Sequence, residues 1–193
     1  GVLNLGVEGQ MLLGAFAAFY VSLTTGNLWF GLLAAMLTGL IMGLGMAFVS
    51  INLQAVQGIS GIGFYLFGLG LSDLLFQKLM GTVVTVSGFR PIYFPVLSDL
   101  PIVGQIFFNH NILVYGAYAM VFVAWFVLNK TTLGLKIKAV GESPEAADSL
   151  GVSVSKIRYL TISFGGMMSG IAGASLSIAL LNVFQQNMTS GLG

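Results

Sequence analysis

Charge is what this sequence has least of. Only seven of its 193 residues are Lys or Arg and six are Asp or Glu. The charged share is 7%, where a soluble domain carries roughly 25%. A soluble globule of this size covers itself with polar groups, and this chain does not have them, which excludes a water-soluble enzyme. The formal net charge of +1 leaves no basic footprint, so nucleic acid is not an expected partner. Cysteine is absent, which removes disulfides and thiolate metal sites. The single histidine, His110, cannot build a zinc site by itself. Disorder needs low hydropathy and high charge, whereas here 56% of residues are hydrophobic and the mean hydropathy is +0.96. What remains is an integral membrane protein whose solvent is the lipid bilayer.

The apolar runs divide into about five spans of roughly 20 residues each. No charge falls between Glu8 and Asp73. Turn residues at Thr24–Asn27 and a polar, Gly-ended break at Asn52–Gly58 split that run into spans near 10–25, 28–51 and 58–77. Two more follow near 111–128 and 159–181. The expected fold is all-α, a polytopic membrane helix bundle forming a single domain over 1–193. Five of the seven basic residues lie in 129–158, which assigns that loop to the cytoplasm and 78–110 to the outside. Trp29 and Trp125 then fall near opposite interfaces.

The outer segment 78–110 differs from the other connections. Its β-branched run Val83–Val86 and its prolines Pro91, Pro95 and Pro101 suggest short extended pieces, followed by a small apolar hairpin over Ile102–Phe108. Such a face suits a docking partner, and equally a plain connecting loop. Glycines Gly39 and Gly43, and Gly166, Gly170 and Gly173, recur at one-turn spacing, which lets helix backbones approach closely in lipid. Close packing of this kind suits rigid-body rocking between two states. Asn4, Glu8 and Gln10 at the entry to the first span, Gln54, Gln57 and Ser60 at the start of the third, and Asp73 near its outer end are polar residues within apolar runs, where such groups mark pathways; a loop position for Glu8 and an interfacial one for Asp73 are the alternatives. Gly6 and Gly9 beside Glu8 suggest a break in the helix there.

The cytoplasmic loop 129–158 holds eight of the charges. Ser143 suits an N-cap, Pro144 the first helical position, Glu145 the positive helix end and Gly151 a left-handed stop, predicting a short helix near 144–150. Ser153 should cap the helix that carries Lys156 and Arg158 into the fifth span. A short rigid helix between two spans fits a groove on another protein and passes motion to both spans; an ordinary solvated loop is the alternative.

The stretch Thr131–Gly173 reads Thr-x-Leu-Gly-Leu-Lys-x-Lys-Ala-Val-Gly-Glu-Ser-Pro-Glu-Ala-Ala-Asp-x-Leu-Gly-Val, then Arg158, then Gly165-Gly166-x-x-Ser-Gly-x-x-Gly. It resembles the permease subunits of ABC importers of the ribose and branched-chain amino acid type. Leu3–Met11, Gln57–Gly61 and Phe184–Gly191 are similar to one subgroup, the second permease of bacterial nucleoside importers. The resemblance implies a multi-pass plasma-membrane subunit that moves nucleosides inward, with a simple sugar or branched-chain amino acid as the alternative cargo. It implies a heterodimer with a sister permease, a cytoplasmic ABC ATPase that binds ATP-Mg, and an extracytoplasmic substrate-binding lipoprotein. It also implies a longer permease of which this chain is the middle. Coupling to the ATPase maps onto Gly141, Glu142, Pro144, Glu145, Ala146 and Ala147, and the translocation pathway onto Asn4, Glu8, Gln57 and Ser60. Ser143 stands where that family usually has Asn, Gln54 where a basic residue is common, and Val56 where a polar one is. The chain has no Gly-x-x-x-x-Gly-Lys-Ser/Thr loop, so no cofactor and no catalytic or metal residue is expected in it. A passive channel is a weaker reading. An intramembrane enzyme is weaker still, because one His and two widely separated acids cannot supply its chemistry.

Overall fold

The computed structural model describes residues 2–90, 92–93 and 109–193. Helix α1 covers Val7–Thr25, α2 Leu28–Ile51, α3 Gln57–Leu79, α4 Ile112–Lys130, α5 Thr132–Glu142, α6 Pro144–Ser149 and α7 Val154–Ser175. A widened π-helical turn, Leu176–Leu180, continues α7. Five helices are long and apolar enough to cross a membrane: α1, α2, α3, α4, and α7 with its π turn. Local chemistry fixes their ends. Gly26 takes a left-handed φ of 68° to close α1, and the Asn27 side chain accepts from the Trp29 N–H to start α2. Asn111 caps α4 in the same way through the Val114 N–H.

In lipid the hydrophobic effect does not drive helices together, so close van der Waals contact must. The glycines supply it. A Cβ on Gly166 would fall 2.5 Å from the Gly39 carbonyl, and one on Gly14 2.6 Å from the Gly170 Cα. Gly173 sits equally tightly on the Met11 backbone, and Gly43 on Ile162–Gly166. The helices α1, α2 and α7 therefore mesh backbone to backbone, with α1 also packed on α3. Helix α4 buries none of its residues, and its main packing partner is α5.

Helix α1 does not start level with its neighbours. Gly6 is its N-cap, and Gly9 lies inside the helix against Phe64 and Tyr65 of α3. The expected break is thus a helix start at Gly6, and the expected span 10–25 begins three residues earlier. Phe64 and Tyr65 lie seven and eight residues into α3, so at 1.5 Å per residue Gly9 stands about 10–12 Å above the start of α3. The chain that precedes α1 is irregular well inside the bundle. Gln57 holds it by accepting from the Leu3 N–H, 2.9 Å, and Asn4 by accepting from the Gly6 N–H, 3.0 Å.

The end of the bundle opposite the basic loop is closed by extended chain. Thr85 bridges Val183, the Val86 N–H donates to the Asn182 carbonyl (3.0 Å) and the Phe89 N–H to the Ile178 carbonyl (3.1 Å). The Phe89 ring meets Trp29 edge to face, 5.4 Å between centroids. Strand β1, Ile92–Tyr93, pairs antiparallel with β2, Asn109–His110. The apolar hairpin expected over Ile102–Phe108 lies outside the described residues. Trp125 marks the other end of the bundle, with the Lys130 Nζ 6.0 Å over its ring.

Replacing Gly166 with Val should cost about 1–3 kcal/mol or more by overpacking, seen as a lower thermal midpoint in detergent. Gly165→Ala, with no neighbour within 4 Å of the new Cβ, should leave that midpoint unchanged or slightly raised.

Candidate functional site

The expected coupling segment forms two short helices. Thr131 starts α5 by accepting from the Gly134 N–H (3.2 Å) while its hydroxyl donates to the Val127 carbonyl (2.6 Å). Gly134 lies against the Val127–Leu128 backbone, folding α5 back on the end of α4. This helix is absent from the sequence expectation, which left 129–143 as loop. Helix α6 follows after Ser143 and ends one residue before the expected 150. Ser143 and Ser153 occupy the N-cap positions, but neither makes a side-chain cap bond. The start of α6 rests on Pro144 and on the Ala147 N–H donating to the Ser143 carbonyl, 3.0 Å. Its stop is the left-handed Gly151, φ 81°, with the Val152 N–H returning to the Ala147 carbonyl.

The six coupling candidates divide by exposure. Gly141, Glu142, Glu145 and Ala146 face outward, and Pro144 is half-buried. Ala147 is 3% exposed, so it faces inward and seats α6 on the protein. The outward face of this stretch is therefore acidic and built of small residues. Four residues, Leu150–Ser153, join α6 to α7. Near the start of α7 the Tyr159 hydroxyl donates to the Asn52 Oδ1, 2.5 Å, tying α7 to the turn between α2 and α3.

The pathway candidates do not form one cluster. Asn4 lines a cavity of about 210 Å³ with Val2, Val7, Thr161, Ile162 and Gly165. Ser60 lines a separate apolar cavity of about 370 Å³ with Val49, Gly63, Phe64 and Phe67, and its hydroxyl donates to the Val56 carbonyl. Gln57 is engaged with Leu3. Glu8 is 8% exposed and in the first turn of α1. Its Oε1 accepts from the Thr189 hydroxyl and from the Gly191 N–H (2.9 Å), while Oε2 has no partner among the described residues. Gln10, fully buried, has neither amide atom bonded to the described residues.

The Glu8 contact joins residues more than 180 positions apart. No local sequence signal announces it, because the chain from Leu181 to Gly193 is irregular. Asn182, Asn187, Ser190 and Gly191 are all left-handed there. Phe184 is fully buried and packs its ring against Phe16, Phe19 and Phe76. Truncation in Glu8→Ala removes the acceptor of the Gly191 N–H. A hydrogen bond to a charged group is worth about 1.5–3 kcal/mol, so amide exchange at Thr189–Gly191 should quicken roughly ten- to hundredfold by hydrogen-exchange mass spectrometry. Glu8→Gln, which keeps one acceptor oxygen, should show a smaller increase.

The family described as branched-chain amino acid transport system / permease component matches the whole chain, residues 1–193. The chain is 43% identical over its full length to a permease protein named for glucose ABC transport in Haloferax volcanii, of which it covers 59%. It is 35% identical to the guanosine ABC transporter permease protein of Bacillus subtilis and 31% identical to a nucleoside ABC transporter permease protein of Lactococcus lactis subsp. cremoris, in each case over the full chain and 64% of the relative. The chain thus spans about three-fifths of the length of these relatives. No solved structure matches it. With five apolar helices, four of them meshed through glycine, and a two-helix unit outside them, the chain belongs to the branched-chain amino acid transport system permease family and is a multi-pass membrane protein.

Proposed function

We propose that the chain is the membrane-spanning core of an ABC importer permease that moves nucleosides inward across the plasma membrane. The observation that carries the reading is the two-helix unit α5–α6, which lies outside the spans and presents Gly141, Glu142, Glu145 and Ala146. A cytoplasmic ABC ATPase binds and hydrolyses ATP-Mg and docks on that unit. A sister permease completes the pathway, and an extracytoplasmic lipoprotein delivers the substrate. This chain contributes no catalytic group and holds no cofactor. Movement of α6 passes through the short Leu150–Ser153 link into α7, and through the Tyr159–Asn52 bond toward the α2–α3 turn.

The nucleoside assignment rests on two full-chain relatives named for guanosine and nucleosides. A second reading, glucose, is supported by the 43% identical relative named for that sugar. Uptake of labelled guanosine, glucose and leucine by the complete complex in proteoliposomes decides among the cargoes, with guanosine the expected one. Glu145→Lys inverts the charge on the docking face while lying away from the spans. It should lower uptake at least about tenfold, the factor that 1.4 kcal/mol of docking energy represents. Stimulation of ATPase activity by the loaded binding protein should vanish, with membrane insertion unchanged. Full uptake by this variant refutes the coupling role.

A further inference from the structure

We propose that the non-helical segment Gln185–Asn187 is a substrate-binding wall of the permease, selective for uncharged ligands that both donate and accept hydrogen bonds. The proposal rests on the importer reading and supplies its binding site.

Depth is the first argument. Phe184 anchors one end of the segment on Phe16, Phe19 and Phe76, and Glu8 holds the other end through Thr189 and Gly191. Gln185–Met188 therefore runs alongside α1 between the levels of Phe16 and Glu8. Those levels are eight residues apart, about 12 Å at the helical rise. Glu8 itself sits next to Gly9, about 10–12 Å above the start of α3. Phe76, which the Phe184 ring also meets, stands about 28 Å up α3, itself about 35 Å long, so the segment descends from the outer part of the membrane-spanning region toward its middle.

Polarity is the second argument. Irregular backbone at this depth persists where it is buried in protein or lines a water-filled cavity. The apolar and hydroxyl members of the segment, Phe184 and Thr189, are the buried ones, whereas Gln185, Gln186 and Asn187 are exposed. No hydrogen bond from the described residues occupies the Gln185 or Gln186 amides. Lipid cannot satisfy them. The backbone is left-handed at Asn182, shortly before the segment, and at Asn187, its last residue, φ 56° and 51°.

Charge is the third argument, and it selects the ligand class. Each carboxamide offers two donors and an acceptor with two lone pairs. No charged residue occurs anywhere from Leu176 to Gly193. Such a wall matches nucleobase edges and sugar hydroxyls. A zwitterionic amino acid would find no cation in this segment for its carboxylate, a large desolvation cost at membrane depth. The site thus favours nucleosides and sugars over branched-chain amino acids.

No cysteine in these 193 residues competes with an introduced one. Gln185→Cys, Gln186→Cys and Asn187→Cys are made singly in the full-length permease, and the whole complex is reconstituted in proteoliposomes. Each is treated with a membrane-impermeant methanethiosulfonate, with and without whichever of guanosine, glucose or leucine the wild-type complex takes up. The proposal expects labelling at these positions, slowed severalfold by guanosine or glucose, and no labelling of Leu66→Cys on α3. Gln185→Ala and Gln186→Ala should raise the uptake KM roughly five- to tenfold, the loss of one hydrogen bond each. Unreactive thiols at all three positions, as when another protein segment covers them, overturn the site. So does labelling that the transported compound leaves unprotected, and so does leucine as the transported cargo. A wild-type complex that takes up none of the three overturns the importer reading and the site with it.

Discussion

The contact on which everything else depends is that of bare backbone on bare backbone, where α2 and α7 meet at Gly39, Gly43, Gly166 and Gly170. Lipid tails are as apolar as leucine, so a bilayer does not reward burying leucine against leucine. It does reward a fit closer than side chains allow, because many weak contacts form at once. The α2–α7 seam also decides where α1 goes. Gly14 reaches Gly170 and Gly173 reaches the Met11 backbone, so α1 is seated against the same face of α7. Helix α3 then packs on α1 through Gly9 and Gly68. The order of assembly in space is thus set by small residues rather than by apolar ones, which are too abundant here to discriminate.

That division explains which parts of the structure were legible in the sequence. The spans were legible because the few charges, and the polar turn clusters Thr24–Asn27 and Asn52–Gly58 where charge is missing, mark their ends. The glycine seam was legible because helical spacing is a property of one stretch of chain. The stop of α6 was legible because Gly151, seven residues after Pro144, brackets so short a helix with it. Helix α5 was not legible. Leu133, Leu135 and Ile137 alternate with Gly134, Lys136 and Lys138, a pattern that suits a strand as well as a helix. In the fold Leu133, Ile137 and Val140 turn inward together, and tertiary packing on α4 decides the matter. Ala147 was read as part of the docking surface, and only the three-dimensional seat of α6 shows that it faces inward. Glu8 was found as a candidate, but its partners Thr189 and Gly191 lie at the other end of the chain and leave no periodic trace.

The rigid seam and the irregular chain have complementary mechanical roles. A helix pair meshed at backbone distance cannot slide by fractions of a turn without collision, so displacement of α7 carries α2 with it. The give must lie where packing is looser. The candidate region is the π turn Leu176–Leu180, which already departs from the α-helical ladder. There the Leu181 N–H donates to the Leu176 carbonyl and the Ser177 hydroxyl to the Ala15 carbonyl, 2.9 Å. These bonds couple the far end of α7 to α1 while leaving the following residues free of regular structure. In the importer reading, a push on α6 arrives through a stiff helix and is delivered to a non-helical part of the bundle.

Glu8 shows why that non-helical part can exist at all. An N–H at membrane depth must find an acceptor, and Gly191 belongs to no helix whose carbonyls could provide one. The Glu8 Oε1 takes that role, acting as a stand-in for a missing helical carbonyl, and the Thr189 hydroxyl shares it. An apolar side chain at position 8 would satisfy lipid and leave the segment's backbone unsatisfied. The carboxyl group is expensive at this depth, and the expense is offset only because the segment it anchors needs a strong acceptor. It follows that the oxygen Glu8 can offer to a pathway is Oε2, which has no partner among the described residues. The polar residues at depth therefore separate by role: Glu8 and Thr189 hold backbone in place, and Gln185, Gln186 and Asn187 have hydrogen-bonding capacity left over.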